Sequence, residues 1–290
     1  MSVLKNKIDF ALVVTVTNAN PNGDPLNGNR PREDFAGYGE ISDVCIKRKI
    51  RNRLQDFGED IFVKMDERYT DGFTSLSERA KNCKELAEAQ KKKDGIAYAR
   101  VACEKWIDVR SFGQVFAFKS GSGAKGEGVS VGVRGPVSIH PAMSVSPIVI
   151  EDIQITKSTN SEPKEGRSSD TMGTKHRVKF GLYIIKGSIT CQLAERTGFS
   201  EEDAEKIKEA LRTLFENDAS SARPEGSMEV VKMYWWKHNC ASGQYSSAKV
   251  HRSLQVKEKE NLDGEPRSVA DYDITVETLE GLEPEVYEGI

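Results

Sequence analysis

Ser42-Asp-Val-Cys-Ile-Lys-Arg-Lys-Ile-Arg-Asn-Arg53 sets five basic side chains within seven positions of a stretch with helical spacing. Ile46, Ile50, Leu54 and Phe57 recur as one core-facing stripe, which predicts a helix over about 42–57. Around that helix Lys47, Arg48 and Arg51 fall to one side of the stripe, and Lys49 with Arg53 to the other. Upstream, residues 8–16 are rich in β-branched side chains and predict a central strand. Between the two runs a loop of about 17–40, opening with Asn18-Ala-Asn-Pro-Asn-Gly-Asp-Pro25. Loops of that length are usually functional or disordered. A strand feeding a polar loop and then a basic helix suits a polyanion better than an apolar small molecule. A solvated amphipathic face is the other reading of the same charges.

The net charge of −3 over 290 residues would argue against nucleic acid, but the charge is unevenly placed. Glu277, Glu280, Glu283, Glu285 and Glu288 crowd the last fourteen residues, which carry no basic side chain. The rest of the chain is net positive, and a local basic stripe decides phosphate binding more than the global sum does. Five scattered cysteines without a CxxC pair read as reduced thiols rather than a disulfide scaffold or a zinc site. No segment has the roughly 20 apolar residues of a bilayer span. The expectation is a cytoplasmic protein with no membrane contact.

Residues 60–105 read as a helical insertion. Ser75 opens a helix with Leu76, Ala80, Cys83, Leu86 and Ala87 on one face, fading at Lys91-Lys-Lys-Asp-Gly95. Beyond it the period switches to two, predicting strands over 107–118, 129–139, 144–155, 177–190, 230–236, 252–257 and 274–278. One more helix interrupts them, with Ser200 as N-cap, Asp203 at its third position, and Ala204, Ile207, Leu211, Leu214 and Phe215 buried. The order predicts an α+β fold, helices on one face of an antiparallel sheet, with a ferredoxin-like or RNA-recognition-motif-like core. The segment 158–176 is polar between two alternating flanks and predicts a projecting hairpin arm.

Several motifs fail on context. Gly121-Ser-Gly-Ala-Lys-Gly126 matches GxGxxG but precedes a strand-like run instead of a helix, and it lacks the ending of a triphosphate loop. His238 and Cys240 form a lone HxC without a second ligand pair. Asp24 is the one carboxylate with a catalytic alternative, acting on a ribose 2′-hydroxyl. Its plainer reading is a turn residue in Asn22-Gly-Asp-Pro25. Trp235 and Trp236 are candidates to stack on bases, although in a strand one of them faces the core.

The loop–helix pair Asn18–Pro25 and Ile41–Arg51, with Asp108-Val-Arg-Ser-Phe-Gly113, Thr171-Met-Gly-Thr-Lys-His176, Gly181-Leu-Tyr183 and Leu214-Phe-Glu-Asn-Asp218, resembles the backbone subunit of type I-C CRISPR Cascade complexes, in the Cas-seven superfamily. The resemblance implies a modified RNA-recognition-motif palm, a helical fingers insertion and a protruding β-hairpin thumb. Residues 1–59 would begin the palm, 60–105 form the fingers, 106–156 add palm strands, 157–180 form the thumb, and 181–290 complete the palm and carry the acidic tail.

The resemblance further implies a non-enzymatic subunit without cofactor or metal. It would bind CRISPR RNA, stack head-to-tail with copies of itself and join other Cascade subunits. The thumb would kink the guide, whose exposed bases pair with target DNA. Carried over by position, Ser42, Lys47, Arg48 and Arg51 would meet guide phosphates, and Asn18 and Asn20 backbone or 2′-hydroxyl groups. On the thumb, Met172 would wedge between bases while Lys175, His176 and Arg177 meet phosphate. Related type III subunits cut RNA with a loop aspartate, which keeps Asp24 as the rival endoribonuclease reading. A filament protein that binds no nucleic acid is the other rival.

Overall fold

The computed structural model describes residues 2–117, 130–156 and 172–289. In chain order its strands and helices are β1 (Ile8–Ala19), β2 (Gly23–Asp24), β3 (Arg30–Pro31), β4 (Tyr38–Ile41), α1 (Asp43–Asp56), α2 (Leu76–Lys81), α3 (Lys84–Lys91), α4 (Gly95–Lys105) and α5 (Ile107–Phe112). There follow β5 (Gly113–Ala117), β6 (Ser130–Arg134), β7 (Val137–Ile139), β8 (Ala142–Pro147), β9 (Ile150–Thr156) and β10 (Met172–Ile189). The last part holds α6 (Cys191–Thr197), α7 (Glu201–Arg212), β11 (Met228–Lys237), α8 (Ser247–Ser253), β12 (Leu254–Glu258), β13 (Tyr272–Val276) and β14 (Glu285–Glu288).

The main sheet runs β14-β11-β1-β10-β8-β4, with β7 and β9 also paired to β10. Neighbours are antiparallel throughout. The two β-α-β units, β1-α1-β8 and β10-α7-β11, are interleaved, so each has a strand of the other between its own two. On one face Phe10, Leu12, Val14 and Val16 pack with Ile46, Ile50 and Leu54 of α1 and with Ala204, Ile207 and Leu211 of α7. The periodic stripes of the sequence are thus the stripes that are buried.

The opposite face is covered too. Ala11, Val13 and Leu182 pack beneath Val250, Leu254 and Tyr272 of α8 and the β12–β13 hairpin. Burial on both sides is why β1 reads as an unbroken apolar run instead of an alternating one. It corrects the expectation of helices on one face only. Trp235 and Trp236 are buried on opposite faces, so neither is available to stack on a base.

A second core gathers Phe62, Leu86, Tyr98, Trp106, Phe116 and Val131 from α3, α4, the α4–α5 junction, β5, β6 and the segment before α2. Three expectations are corrected here. The strand expected over 107–118 begins as helix α5, ended by Gly113 at φ 80°, a conformation that favours glycine. The single helix expected from Ser75 is two, α2 and α3, broken at Asn82–Cys83. The loop of 17–40 is ordered, containing β2, β3, β4 and a one-turn 3-10 helix over Pro25–Asn27. The Gly121–Gly126 motif and residues 157–171, which hold most of the expected hairpin arm, lie outside the described residues.

Candidate nucleic-acid interface

The loop after β1 is stitched to the start of α1. Asn22 Oδ1 accepts from the Ser42 backbone N–H (2.9 Å) and hydroxyl (2.7 Å), while Ser42 Oγ caps the helix by accepting from Cys45 N (3.3 Å). Cys45 Sγ lies 3.7 Å from the Pro21 carbonyl. Asn20 is buried. Its amide donates to Asn29 O (2.6 Å) and its backbone N–H to Ala222 O (2.9 Å). The side chains of Asn20 and Ser42 therefore already hold the loop in shape. Asn18 differs: it sits at φ 52°, interrupts the β1–β10 register between Thr17 and Ala19, and is exposed. It lines a cavity of about 480 Å³ with Pro147, Val149, Lys179, Phe180 and Arg267.

The cations of α1 divide as the helical projection predicts, but most are engaged. Lys47 Nζ lies 2.8 Å from Asp43, one turn back. Arg48 donates to Val63 O (2.6 Å), and burial, then Arg51 nearby, lowers its pKa. Arg51 Nε donates to the buried Asp108 carboxylate (3.0 Å), with its guanidinium over the Phe112 ring. On the other flank Lys49 pairs with Asp218 and is pushed down in pKa by burial. Arg53 is buried among Thr213, Asp56 and Glu216.

The third contribution is the arm of β9 and β10, paired from Ile150↔Val178 out to Thr156↔Met172. At its base Asp152 accepts from both Arg30 and His176 Nδ1 (2.6 Å for the latter), which holds its carboxyl down at about 2. Arg177 pairs with Glu151 at 2.8 Å. Lys175 Nζ donates to Ser221 O (2.7 Å). Met172, at the outer limit of the described arm, is exposed, and Gln154 Nε2 donates to its sulfur (3.0 Å).

Loop, helix and arm therefore meet around the turn Asp218–Arg223, which contacts Asn20, Lys49 and Lys175 and whose Arg223 pairs with Asp218 (3.0 Å). Sequence reading missed this turn, and with it Arg30, Arg32 and Arg223. A signal existed in Arg30-Pro-Arg32, two cations inside the quoted loop. Their partners were not legible, because Asp152 lies 122 positions from Arg30.

Chemically the arrangement favours an anion. Arg48 and Lys175 donate to neutral carbonyls, so those contacts leave their charge uncompensated, whereas Lys47, Arg30, Arg32 and Arg177 each share a carboxylate. Asp24 Oδ1 accepts from Leu26 N (3.1 Å) and lies 3.6 Å from Arg32, the position of a turn cap. Among the described residues, no three His, Cys, Asp or Glu side chains are grouped as a metal site requires. No helix there is long and apolar enough to cross a membrane.

A family model described as CRISPR-associated protein Cas7 matches residues 6–277. A CRISPR-associated protein Cas7 of Haloferax volcanii is 27% identical over 289 residues, covering 95% of this chain and 83% of the relative. Two solved structures were also compared. A chain of a CRISPR RNA-guided surveillance complex in a pre-nicking state gives a TM-score of 0.47 at 17% identity, covering 79% of this chain and 78% of its own. A chain of a second CRISPR RNA-guided surveillance complex gives 0.43 at 15% identity, covering 79% and 68%.

Proposed function

Since the chain belongs to the Cas7 family of CRISPR-associated proteins, we propose that it is the RNA-binding backbone subunit of a type I-C Cascade surveillance complex. On this reading the interleaved sheet is the palm, the part of the second core drawn from residues 60–105 belongs to the fingers, and the β9–β10 arm is the base of the thumb. Copies stack head-to-tail along one guide, a heterologous contact that extends as a filament. Each arm kinks the strand, and the bases left exposed pair with target DNA. The protein itself holds phosphate and sugar and leaves sequence reading to base pairing. It catalyses no step, and Asp24 is a turn residue.

The observation that carries this reading is that the polar loop, the basic helix and the arm meet one turn, through Asn20, Lys49 and Lys175, in a chain matched by the family over nearly its full length. The test is RNA affinity against salt. Lys47→Ala with Lys175→Ala should weaken binding of a CRISPR RNA transcript and flatten log K against log salt by about 0.7 for each lost phosphate contact. This pair is chosen over Arg51, whose bond to Asp108 would confound binding with folding. An unchanged slope, or a filament that assembles equally well without RNA, would refute the reading.

A further inference from the structure

Phe35 has the highest exposure of any large apolar side chain among the described residues, and it is held that way. The Asp34 N–H donates to Tyr38 O (2.9 Å) and the Gly37 N–H to Asp34 O (3.1 Å). The Asp34 carboxylate accepts from the N–H groups of Ala36 and Tyr38, both at 2.9 Å. Gly37 takes φ 83°, and its carbonyl accepts from Ile148 N (2.8 Å), which fastens the turn to the segment joining β8 and β9. Gly39 backs onto the buried Tyr183, leaving no room for a side chain. Four bonds thus fix a five-residue turn whose most prominent group is an aromatic ring in water. Among the described residues, nothing in the packing requires that ring.

We propose that Phe35 is a stacking platform for one unpaired base of a single nucleic-acid strand, presented by the Asp34-capped turn. This rests on the RNA-binding reading and adds a base contact to its phosphate contacts. Single-strand binding sites combine cations that follow the backbone with aromatic faces on which bases stack, whatever their sequence. Here Arg30 and Arg32 precede the ring by five and three positions, on the same ordered loop. A protein partner would bury the ring inside an apolar, water-excluding surround, but its neighbours Arg32, Glu33 and Asp34 are charged. A base needs only the flat face. The rigid turn lowers the ordering cost of the contact.

The three native tryptophans, Trp106, Trp235 and Trp236, are all buried, so in Phe35→Trp protein dissolved iodide reaches only the introduced indole. Binding of a CRISPR RNA transcript should protect that indole from iodide if the base belongs to the guide. Protection that appears only on adding a complementary DNA strand assigns it to the target, and either result supports the platform. Phe35→Ala should weaken binding about tenfold to hundredfold with the salt slope unchanged, because stacking releases no counterions. Phe35→Tyr should restore most of it. Equal binding by wild type and Phe35→Ala overturns this inference alone. So does an indole that stays open to iodide in both complexes, or a Phe35→Ala effect confined to self-association without RNA. A wild-type chain that binds no RNA overturns the functional reading as well.

Discussion

Asp108→Asn is the substitution that best tests how the basic helix is held. Asp108 is 1% exposed. One carboxylate oxygen accepts from Phe62 N (2.8 Å), the other from Val63 N (3.0 Å) and Arg51 Nε (3.0 Å). All three partners are donors. An asparagine offers one acceptor oxygen, so in either orientation its own NH₂ meets a buried N–H. An unsatisfied buried donor costs about 1–3 kcal/mol. Breaking a buried ion pair by removing one partner costs about 3–5 kcal/mol, and these figures overlap because the same atoms are counted. The expected loss is about 3–5 kcal/mol, a large part of the roughly 5–15 kcal/mol that holds a typical domain. Urea unfolding monitored by the buried tryptophans would read it as a lower midpoint. Placing Asp108→Asn in an Arg51→Met background apportions the loss, because the Arg51 share should vanish there and leave the backbone share. A single-mutant loss under about 1 kcal/mol, or costs that add without coupling, would refute the linkage between α1 and the second core.

Three further outcomes follow from named contacts. Burial raises the Asp9 pKa, but bonds from His238 (2.9 Å), Ser247 and Lys7 (3.1 Å) outweigh it and leave the pKa below the ordinary value. Its contribution is therefore complete above the unfolded pKa of about 3.9 and is lost as pH falls through the lower folded value, so Asp9→Asn should flatten stability against pH below about 4 in a urea midpoint series. Gly187→Ala would set a Cβ into the Phe10 ring and 2.6 Å from the Ser138 carbonyl, lowering stability by about 1–3 kcal/mol in the same assay. The assembled complex should leave a matched RNA target intact, and site-specific cuts abolished by Asp24→Asn would overturn the non-enzymatic reading.

What was legible in the sequence is what depends on local periodicity. The strand β1, the helix α1 and the capped helix α7 follow directly from stripes and caps; Ser200 and Asp203 form the expected reciprocal box. The α5 segment defeats that logic. Ile107-Asp-Val-Arg-Ser-Phe112 alternates like a strand, yet it is a helix whose two charged members are tied to distant groups. Asp108 takes Arg51 and the backbone at 62–63, and Arg110 donates to Asp203 at 2.7 Å. Tertiary bonds override the pattern. The second covering of the sheet left a mark, because the unbroken apolar run of β1 signals burial on both faces, but the run does not say which element supplies the second cover. At the candidate interface, residue types singled out a loop, a helix and an arm that the fold does bring to one turn, but not which of their cations are already paired. Lys49 and Arg51 are neighbours in sequence and partners of Asp218 and Asp108, 169 and 57 positions away.

Those pairings bear on how a chain of net charge −3 would hold a polyanion, as the proposed function requires. A carboxylate beside a cation subtracts from the local potential, but it also fixes a long, rotamer-rich side chain that would otherwise lose its freedom only on binding. Asp152 is the clearest case, since one exposed carboxylate orients Arg30 from the loop and His176 from the arm at once. On the proposed reading a phosphate arriving there would meet donors already placed, and would exchange with or join a carboxylate as acceptor. The gain per contact is smaller than for a bare lysine and more dependent on geometry. On that reading Arg48 and Lys175, bonded to carbonyls, would supply attraction, and the carboxylate-paired cations would supply fit. A subunit built this way would bind an isolated strand weakly. On the proposed reading, its grip on a guide then comes from many copies aligned along one strand, each adding a modest and well-oriented set of contacts.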